Sequence, residues 1–209
     1  MAENRFFIMR HGETVFNAAR RLQSNTMHTP LTRTGSEQAT HMGKVLRETL
    51  GPRPDVTVHI SETGRALQTA ALICDELEID WFDAHRSADL VEIDMGGWCG
   101  RLYADVTAEH GPIVLEEHLL RPAPDGEDYP AIAARLRNWL DWVEDRPGDH
   151  IVVMHGISSR VLRGIMTGLP DNPHHGAPIA ASLKQGSIAQ ISGGVESILY
   201  GAQTGFEHA

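Results

Sequence analysis

Two histidines and two arginines stand just behind short apolar runs of this chain. Arg10-His11-Gly12 follows one such run directly, His155-Gly156 follows another, and Arg65 comes five residues after a third. A neutral imidazole can act as a nucleophile or proton carrier, and a guanidinium is a planar fork that pairs with phosphate or carboxylate oxygens. None of these side chains is favourable to bury without a partner. Their types therefore indicate a site that acts on an anionic group.

The elements that must position these groups are indicated by the apolar periodicity. Short apolar runs predict strands, and apolar residues at helical spacing predict helices. Strands are predicted at about 6–9, 56–60, 151–154, 188–191 and 195–199, and helices at about 39–50, 65–77, 132–143 and 157–166. Thr34 and Glu37 suggest a capping box that starts the first helix. Gly193-Gly194 predicts a hairpin turn between the last two strands.

Strands that alternate with helices favour an α/β fold with a mainly parallel central sheet, covered on both faces, and an antiparallel edge strand from the terminal hairpin. The less regular part of the chain is expected to form a loop and helix excursion at about 93–128 that covers part of the site. We expect one domain over residues 1–209. Because ligands bind outside the carboxyl ends of parallel strands, the histidines and arginines should meet at one edge of the sheet.

Composition limits the partners. The net charge is −10, and 16 of the 18 cationic residues are arginine. An acidic surface disfavours nucleic acid and anionic membrane as partners, and no apolar stretch approaches the roughly 18 residues of a membrane span. Two cysteines and an amino terminus without a signal-peptide pattern favour the cytoplasm. An exposed hairpin edge or a Trp-bearing helix could support a homodimer.

The ordered set of motifs resembles the histidine phosphatase superfamily, also called the phosphoglycerate mutase-like family, over nearly the whole chain. The resemblance implies a three-layer α/β/α sandwich and catalysis through a phosphohistidine, with no metal and no cofactor. The residues that carry it are Arg10-His11-Gly12-Glu13-Thr14, Asn17, Gln23, Pro30-Leu31-Thr32, Ser61, Arg65-Ala66, Leu90-Val91-Glu92, Gly96, Trp98, Gly126-Glu127, Arg135 and Val152-Val153-Met154-His155-Gly156.

The resemblance implies roles for individual residues. His11 matches the nucleophile, and its other ring nitrogen should donate to a backbone carbonyl so that the attacking nitrogen keeps its lone pair. Glu92 matches the general acid and base, which protonates the leaving group and then takes a proton from water. Arg10, Arg65 and His155 match the clamp around the phosphoryl group. The full phosphate-binding set expected is Arg10, His11, Asn17, Arg65, His155 and Gly156.

The chain departs from the family pattern at several positions. Residues 24–29 replace a shorter segment that usually contains Gly and Asp, and Glu62 stands where Pro is common, with a side chain expected to point away from the site. The mutase branch usually has an Arg and a Tyr after its acid and base Glu and a pair of Arg later; here Ile93-Asp94-Met95 follows Glu92, and Arg121 has no neighbouring Arg. These departures favour a phosphatase.

We therefore expect a metal-independent phosphomonoesterase that acts on a small phosphorylated metabolite. Phosphoglycerate mutase is the alternative within the family, and a catalytically silent phosphate-binding or scaffold protein is the alternative from another class. Retention of Glu92 argues against the silent protein, because a binding module needs no proton donor. A metal site built from His11, His155 and Glu92 is disfavoured, because two arginines in the same pocket would repel a divalent cation.

Overall fold

The computed structural model describes residues 4–201. Both ends of the range expected for one domain, residues 1–3 and 202–209, lie outside the described residues. The six strands are β1 (Arg5–Arg10), β2 (Val56–Ser61), β3 (His85–Ser87), β4 (Asp149–Met154), β5 (Ile188–Ser192) and β6 (Val195–Tyr200). The helices are α1 (Val15–Ala18), α2 (Arg33–Leu50), α3 (Gly64–Leu77), α4 (Tyr103–His110), α5 (Tyr129–Glu144) and α6 (Gly156–Met166). Four short 3-10 turns lie at Trp81–Asp83, Ala88–Leu90, Gly96–Trp98 and Glu116–His118.

The six strands form one sheet in the order β3-β2-β4-β1-β5-β6. β3, β2, β4 and β1 are mutually parallel, while β5 pairs antiparallel with β1 and β6 pairs antiparallel with β5. The predicted parallel sheet with an antiparallel edge is therefore confirmed. β4 and β1 are the two central strands, so the residues that follow each of them begin at the centre of the sheet edge.

Helices cover both faces of the sheet, as the three-layer prediction requires. Apolar residues alternate between the faces along β1 and β4: Phe7 and Val153 contact one layer, Ile8 and Val152 the other. One core holds the buried faces of α2 and α3, and the other holds those of α5, α6 and the excursion. Burial on both faces explains why the central strands read as continuous apolar runs rather than alternating ones.

The local start of α2 differs from the prediction. Its N-cap is Thr32, whose Oγ1 accepts a hydrogen bond from the N–H of Gly35 at 3.0 Å, so Thr34 is not the cap. Glu37 pairs with Arg33 on the exposed surface instead of closing a capping box. The cap is set by a distant segment, because Thr32 is also hydrogen-bonded to the backbone and the carboxylate of Glu13.

The chain between α3 and α5, where the sequence shows little periodicity, contains elements whose positions the sequence did not predict. β3 is a three-residue parallel strand at one edge of the sheet, and α4 has a weakly amphipathic sequence. Between them and α5 the chain is mainly loop, yet it is well packed: Ile93, Trp98 and Ile113 belong to the core under α5 and α6.

Candidate active site

The carboxyl ends of β1 and β4 bring the two motif histidines together. The strands are adjacent and in register, with Arg10 opposite Met154, so the next residue of each strand lies at the same edge. The rings of His11 and His155 are 5.2 Å apart between centroids, at an angle of 61°. β2 ends beside β4, and Arg65 lies in the first turn of the helix that follows. The structure thus brings together the groups that the sequence places behind three strands.

His11 is held in one tautomer. Its Nδ1 lies 2.7 Å from the carbonyl oxygen of Gly12, which can only accept, so Nδ1 carries the proton and Nε2 keeps its lone pair. The ring is almost completely buried. Burial and the neighbouring charges of Arg65 and Arg10 hold the pKa of His11 well below its usual 6.5. The imidazole is therefore neutral at physiological pH and presents a nucleophilic nitrogen.

The turn after His11 is fixed by a close contact between two glycines. A Cβ atom on Gly12 would lie 2.2 Å from the carbonyl oxygen of Gly35, and one on Gly35 would lie 2.0 Å from that of Glu13. Only glycine fits at either position. The N–H of Gly12 also donates to Thr69 Oγ1 at 3.2 Å, and that of Glu13 donates to Gln38 Oε1 at 2.8 Å. The carbonyl that orients His11 is thus anchored to α2 and α3.

Arg65 and His155 are hydrogen-bonded to each other. Arg65 Nε donates to His155 Nδ1 at 3.2 Å, which requires that nitrogen to be unprotonated, and His155 Nε2 then donates to Ser61 Oγ at 2.7 Å. Burial, Arg65 and His11 hold the pKa of His155 well below 6.5. In this structure His155 is a neutral side chain hydrogen-bonded to Arg65, and its place in the phosphoryl clamp stays a prediction.

Arg65 also holds the segment 24–29, the one that departs from the family pattern. Its Nη1 donates to the carbonyl of Thr26 at 3.0 Å and to Thr29 Oγ1 at 2.9 Å, and its Nη2 donates to the carbonyl of Ser24 at 2.6 Å. With the bond to His155, four of its five N–H groups have protein partners. An incoming phosphoryl group must therefore exchange with some of these bonds.

Arg10 brings a second buried guanidinium to the site. Its Nη1 donates to the carbonyl of Leu183 at 3.2 Å. Burial lowers the pKa of Arg10 to about 10 and that of Arg65 to about 10, in each case against the opposing effect of Glu92. Both remain cationic at neutral pH. Two such cations inside an acidic protein give a local positive potential that suits an anionic ligand.

Glu92 lies at the amino end of α6, next to the histidine motif of β4. Its Oε1 accepts from the N–H groups of Ile93 at 3.0 Å and Ser158 at 2.9 Å, and its Oε2 accepts from that of Ile157 at 3.0 Å. The carboxylate therefore accepts from the backbone N–H groups that follow Gly156 at the start of α6. Gly156 itself is one of the residues expected to bind phosphate. Oε2 has one donor against two for Oε1, so Oε2 is the oxygen with room to carry a proton.

The loop after Glu92 is supported by the second half of the excursion. Glu127 accepts from Arg135 at 2.7 and 3.0 Å and from the N–H of Asp94 at 3.4 Å. Gly126 lies so close that a Cβ atom there would meet the carbonyl oxygen of Asp94 at 2.3 Å. Gly126, Glu127 and Arg135 thus support the loop that follows Glu92, although they are not among the residues that line the active-site cavity. This support explains why they belong to the motif set.

A small enclosed cavity joins these groups. Its volume is about 10 Å³, room for roughly one water molecule. Its lining was only partly predicted, because Tyr103 on α4 comes from a stretch without clear periodicity. Burial raises the pKa of the Tyr103 phenol, and Arg10 opposes that effect. The residues that line the cavity are His11, Leu22, Gln23, Ser24, Arg65, Glu92, Ile93, Met95, Tyr103 and Leu120.

Asn17 has a structural role beside its predicted one. It forms a reciprocal capping box with Thr14 at the start of α1, and its Oδ1 also accepts from Gln185 Nε2 at 2.5 Å. The amide oxygen is thus committed to the protein, and phosphate binding by Asn17 stays a prediction that would use its NH2 group. The chain after His11 does not enter a helix at once, since α1 begins at Val15.

The remaining departures lie away from the cavity. Glu62 is half-buried, is not among the cavity-lining residues, and forms no ion pair within residues 4–201. The guanidinium of Arg121 lies over the Trp98 ring at 5.6 Å and donates to the carbonyl of His110 at 2.6 Å. Within the described part of the chain, no three His, Cys, Asp or Glu side chains are grouped to hold a metal ion, and no helix is long and apolar enough to cross a membrane.

Comparisons with known proteins find a matching family model, similar sequences and similar folds. A model of the histidine phosphatase superfamily (branch 1) matches residues 6–193. A relative from Erwinia tasmaniensis, named probable phosphoglycerate mutase GpmB, is 31% identical over 173 residues, 79% of this chain and 76% of the relative. The structure of mycobacterial hydrolase 1 has a TM-score of 0.78 at 22% identity, with 97% of this chain and 100% of that one covered. Mycobacterial glucosyl-3-phosphoglycerate phosphatase with VO3 has a TM-score of 0.73 at 23% identity, with 90% of each chain covered.

Proposed function

The chain belongs to the histidine phosphatase superfamily, and on that premise we propose that it is a metal-independent phosphomonoesterase that hydrolyses a small phosphorylated metabolite through a phosphohistidine on His11. The observation that carries the proposal is the state of His11. A buried, neutral imidazole whose Nδ1–H is bound to a carbonyl, next to two guanidinium groups, presents an unprotonated Nε2 that is suited to attack on phosphorus.

In the first step His11 Nε2 attacks phosphorus in line, and the bond from phosphorus to the ester oxygen breaks. Arg10 and Arg65 stabilise the charge on the equatorial phosphoryl oxygens as the group flattens. The leaving oxygen takes a proton from Glu92, which must then be in its neutral form. Oε2, with its single N–H partner, is the oxygen we assign to this proton.

In the second step water replaces the alcohol. Glu92, now a carboxylate, takes a proton from water while the water oxygen attacks phosphorus. The phosphorus–nitrogen bond breaks, its electron pair returns to His11 Nε2, and inorganic phosphate leaves. Splitting one displacement into two lets the same carboxyl group act first as acid and then as base.

The charge of the cavity supports a phosphatase over a mutase. Among the described residues that line the cavity, Arg65 is the only cation, with Arg10 beside it. The other lining residues are the apolar Leu22, Ile93, Met95 and Leu120 and the polar His11, Gln23, Ser24, Glu92 and Tyr103. A mutase must retain an intermediate with two phosphates, and the second phosphate needs its own cations. Arg121, the nearest candidate by sequence, is engaged with Trp98 and a backbone carbonyl instead.

Phosphoglycerate mutase is the second candidate function, because the relative from Erwinia tasmaniensis carries that name at 31% identity. The two reactions are separated by incubating the protein with 3-phosphoglycerate, with and without 2,3-bisphosphoglycerate. Release of inorganic phosphate without isomerisation supports the phosphatase, and isomerisation faster than phosphate release supports the mutase.

The central test is hydrolysis of p-nitrophenyl phosphate and trapping of the phosphoenzyme. We expect turnover that survives a chelator, and a phosphoryl group on the protein that is lost in acid, as a phosphorus–nitrogen bond requires. His11→Ala should abolish both, while His41→Ala, which changes an exposed histidine on α2, should abolish neither. Turnover at the wild-type rate in His11→Ala would overturn the assignment of His11 as the nucleophile. Absence of both turnover and trapping in the wild type would favour the alternative of a silent phosphate-binding protein.

A further inference from the structure

Ser24 has a backbone conformation that needs an explanation. Its φ is +56°, in the left-handed region that non-glycine residues seldom adopt, and its side chain is buried. Strain of this kind persists only where surrounding contacts hold it. The contacts of Ser24 therefore indicate what the conformation accomplishes.

The hydroxyl of Ser24 is bound to the loop that follows Glu92. Its Oγ accepts from the N–H of Met95 at 2.7 Å. Its own hydrogen can be donated to the carbonyl of Ile93 at 3.3 Å or to Asp94 Oδ1 at 3.2 Å. One hydroxyl thus contacts three consecutive residues, the first of which is also the residue whose N–H donates to Glu92 Oε1.

The carbonyl of Ser24 is bound to the opposite side of the site. It accepts from Arg65 Nη2 at 2.6 Å, the shortest of the bonds that hold Arg65. The left-handed backbone lets one residue turn its carbonyl toward Arg65 and its hydroxyl toward the Glu92 loop. Ser24 therefore links a residue of the phosphoryl clamp to the loop that carries the proton donor.

We propose that Ser24 is a positioning residue that sets the place of Glu92 relative to the leaving group and couples it to Arg65. This inference rests on the proposed function and adds to it a residue that acts through Glu92, because its hydroxyl is bound to the loop that follows Glu92. A displacement of about 1 Å in a catalytic group can cost roughly 100-fold in rate. Loss of the hydroxyl should therefore slow the steps that need proton transfer and spare those that do not.

The test compares esters whose leaving groups need different amounts of protonation. Ser24→Ala and Ser24→Gly remove the hydroxyl, and glycine also relieves the left-handed backbone. We expect both variants to lose about tenfold to 100-fold in kcat on a simple alkyl phosphate and less than about threefold on p-nitrophenyl phosphate, with KM nearly unchanged. Ser36→Ala is the matched control, because it removes a hydrogen-bonded serine hydroxyl on α2.

A double-mutant cycle separates positioning from general damage. If Ser24 acts through Glu92, then Ser24→Ala should change alkyl phosphate turnover less than about twofold when Glu92→Gln is already present. Equal losses on both esters, or losses that multiply in the double variant, would overturn the inference and leave the phosphatase standing. A wild-type protein that hydrolyses neither ester would overturn the proposed function, and the inference with it.

Discussion

Gly12→Ala is the sharpest test of how the backbone orients the nucleophile. The new Cβ atom would lie 2.2 Å from the carbonyl oxygen of Gly35, and its carbon and Cα at 2.8 and 2.9 Å would be equally in the way. All three atoms belong to the backbone, so no side chain can turn aside. The two segments must separate by about 1 Å to restore ordinary contact, and the carbonyl that holds His11 Nδ1 moves with them.

Two effects of known size follow from that displacement. Overpacking costs about 1–3 kcal/mol, which lowers the melting temperature of a chain of this length by roughly 2–12 °C. A shift of about 1 Å in the position of the nucleophile costs roughly 100-fold in kcat. We therefore expect Gly12→Ala to remain folded at 25 °C and to lose most of its turnover, because the loss comes from geometry rather than from unfolding.

The assay is kcat for p-nitrophenyl phosphate, measured with phosphoenzyme formation and thermal unfolding on the same samples. Gly201→Ala is the matched control: within residues 4–201 its Cβ atom would meet only Ile198 Cγ2 at 3.9 Å, an ordinary contact. Wild-type kcat in Gly12→Ala together with a lowered melting temperature would refute the reasoning, because the strain would then have been absorbed without moving His11.

Three further predictions test the charge and proton assignments. Arg10→Lys should lower kcat/KM by about 100-fold, since a point charge replaces a planar fork, while Arg47→Lys at the far end of α2 should leave steady-state kinetics unchanged. Glu92→Gln should slow alkyl phosphates far more than aryl phosphates in steady-state assays, and equal losses would remove Glu92 from its acid role. His59, whose pKa burial lowers to about 3, stabilises the fold fully above pH 6.5, and this contribution is lost as the pH falls toward 3. Urea unfolding at pH 7, 6 and 5 should show a loss of up to about 1.4 kcal/mol per pH unit from this group, with a shallower slope in His59→Phe.

The meeting of the motif histidines and arginines at one edge of the sheet could be predicted from sequence, because short-range patterns determine their positions. β1 and β4 are apolar on both faces, so their ends are clear, and the residue after each end must lie at the binding edge. The places of His11, His155 and Arg65 follow from this pattern, while their chemical roles came from the family resemblance and stay predictions. The chemistry of Glu92 came from the family resemblance, since no strand or helix pattern marks its position.

The rest of the site depends on contacts between distant segments. Thr32 caps α2 because Glu13, which is 19 residues away, holds it there, and a local pattern favoured Thr34 instead. Tyr103 lies on a helix that packs against irregular loops, so its sequence has no regular apolar stripe. One ring nitrogen of His155 accepts from Arg65 and the other donates to Ser61, so the ring is neutral. These two contacts are visible only in the folded structure.

The order of the strands divides the site into parts of unequal stability. His11 and His155 follow the two central strands of the sheet, whereas Glu92 lies on an irregular connection held by side-chain contacts. Local opening starts where few backbone hydrogen bonds to neighbouring strands hold the chain. Amide hydrogen exchange should therefore be slowest in β1 and β4 and faster in the excursion. Under the proposed mechanism, a molecule opened in this way keeps its nucleophile, His11, and loses its proton donor, Glu92. It could still accept a phosphoryl group from an ester with a good leaving group, and it would release that group slowly.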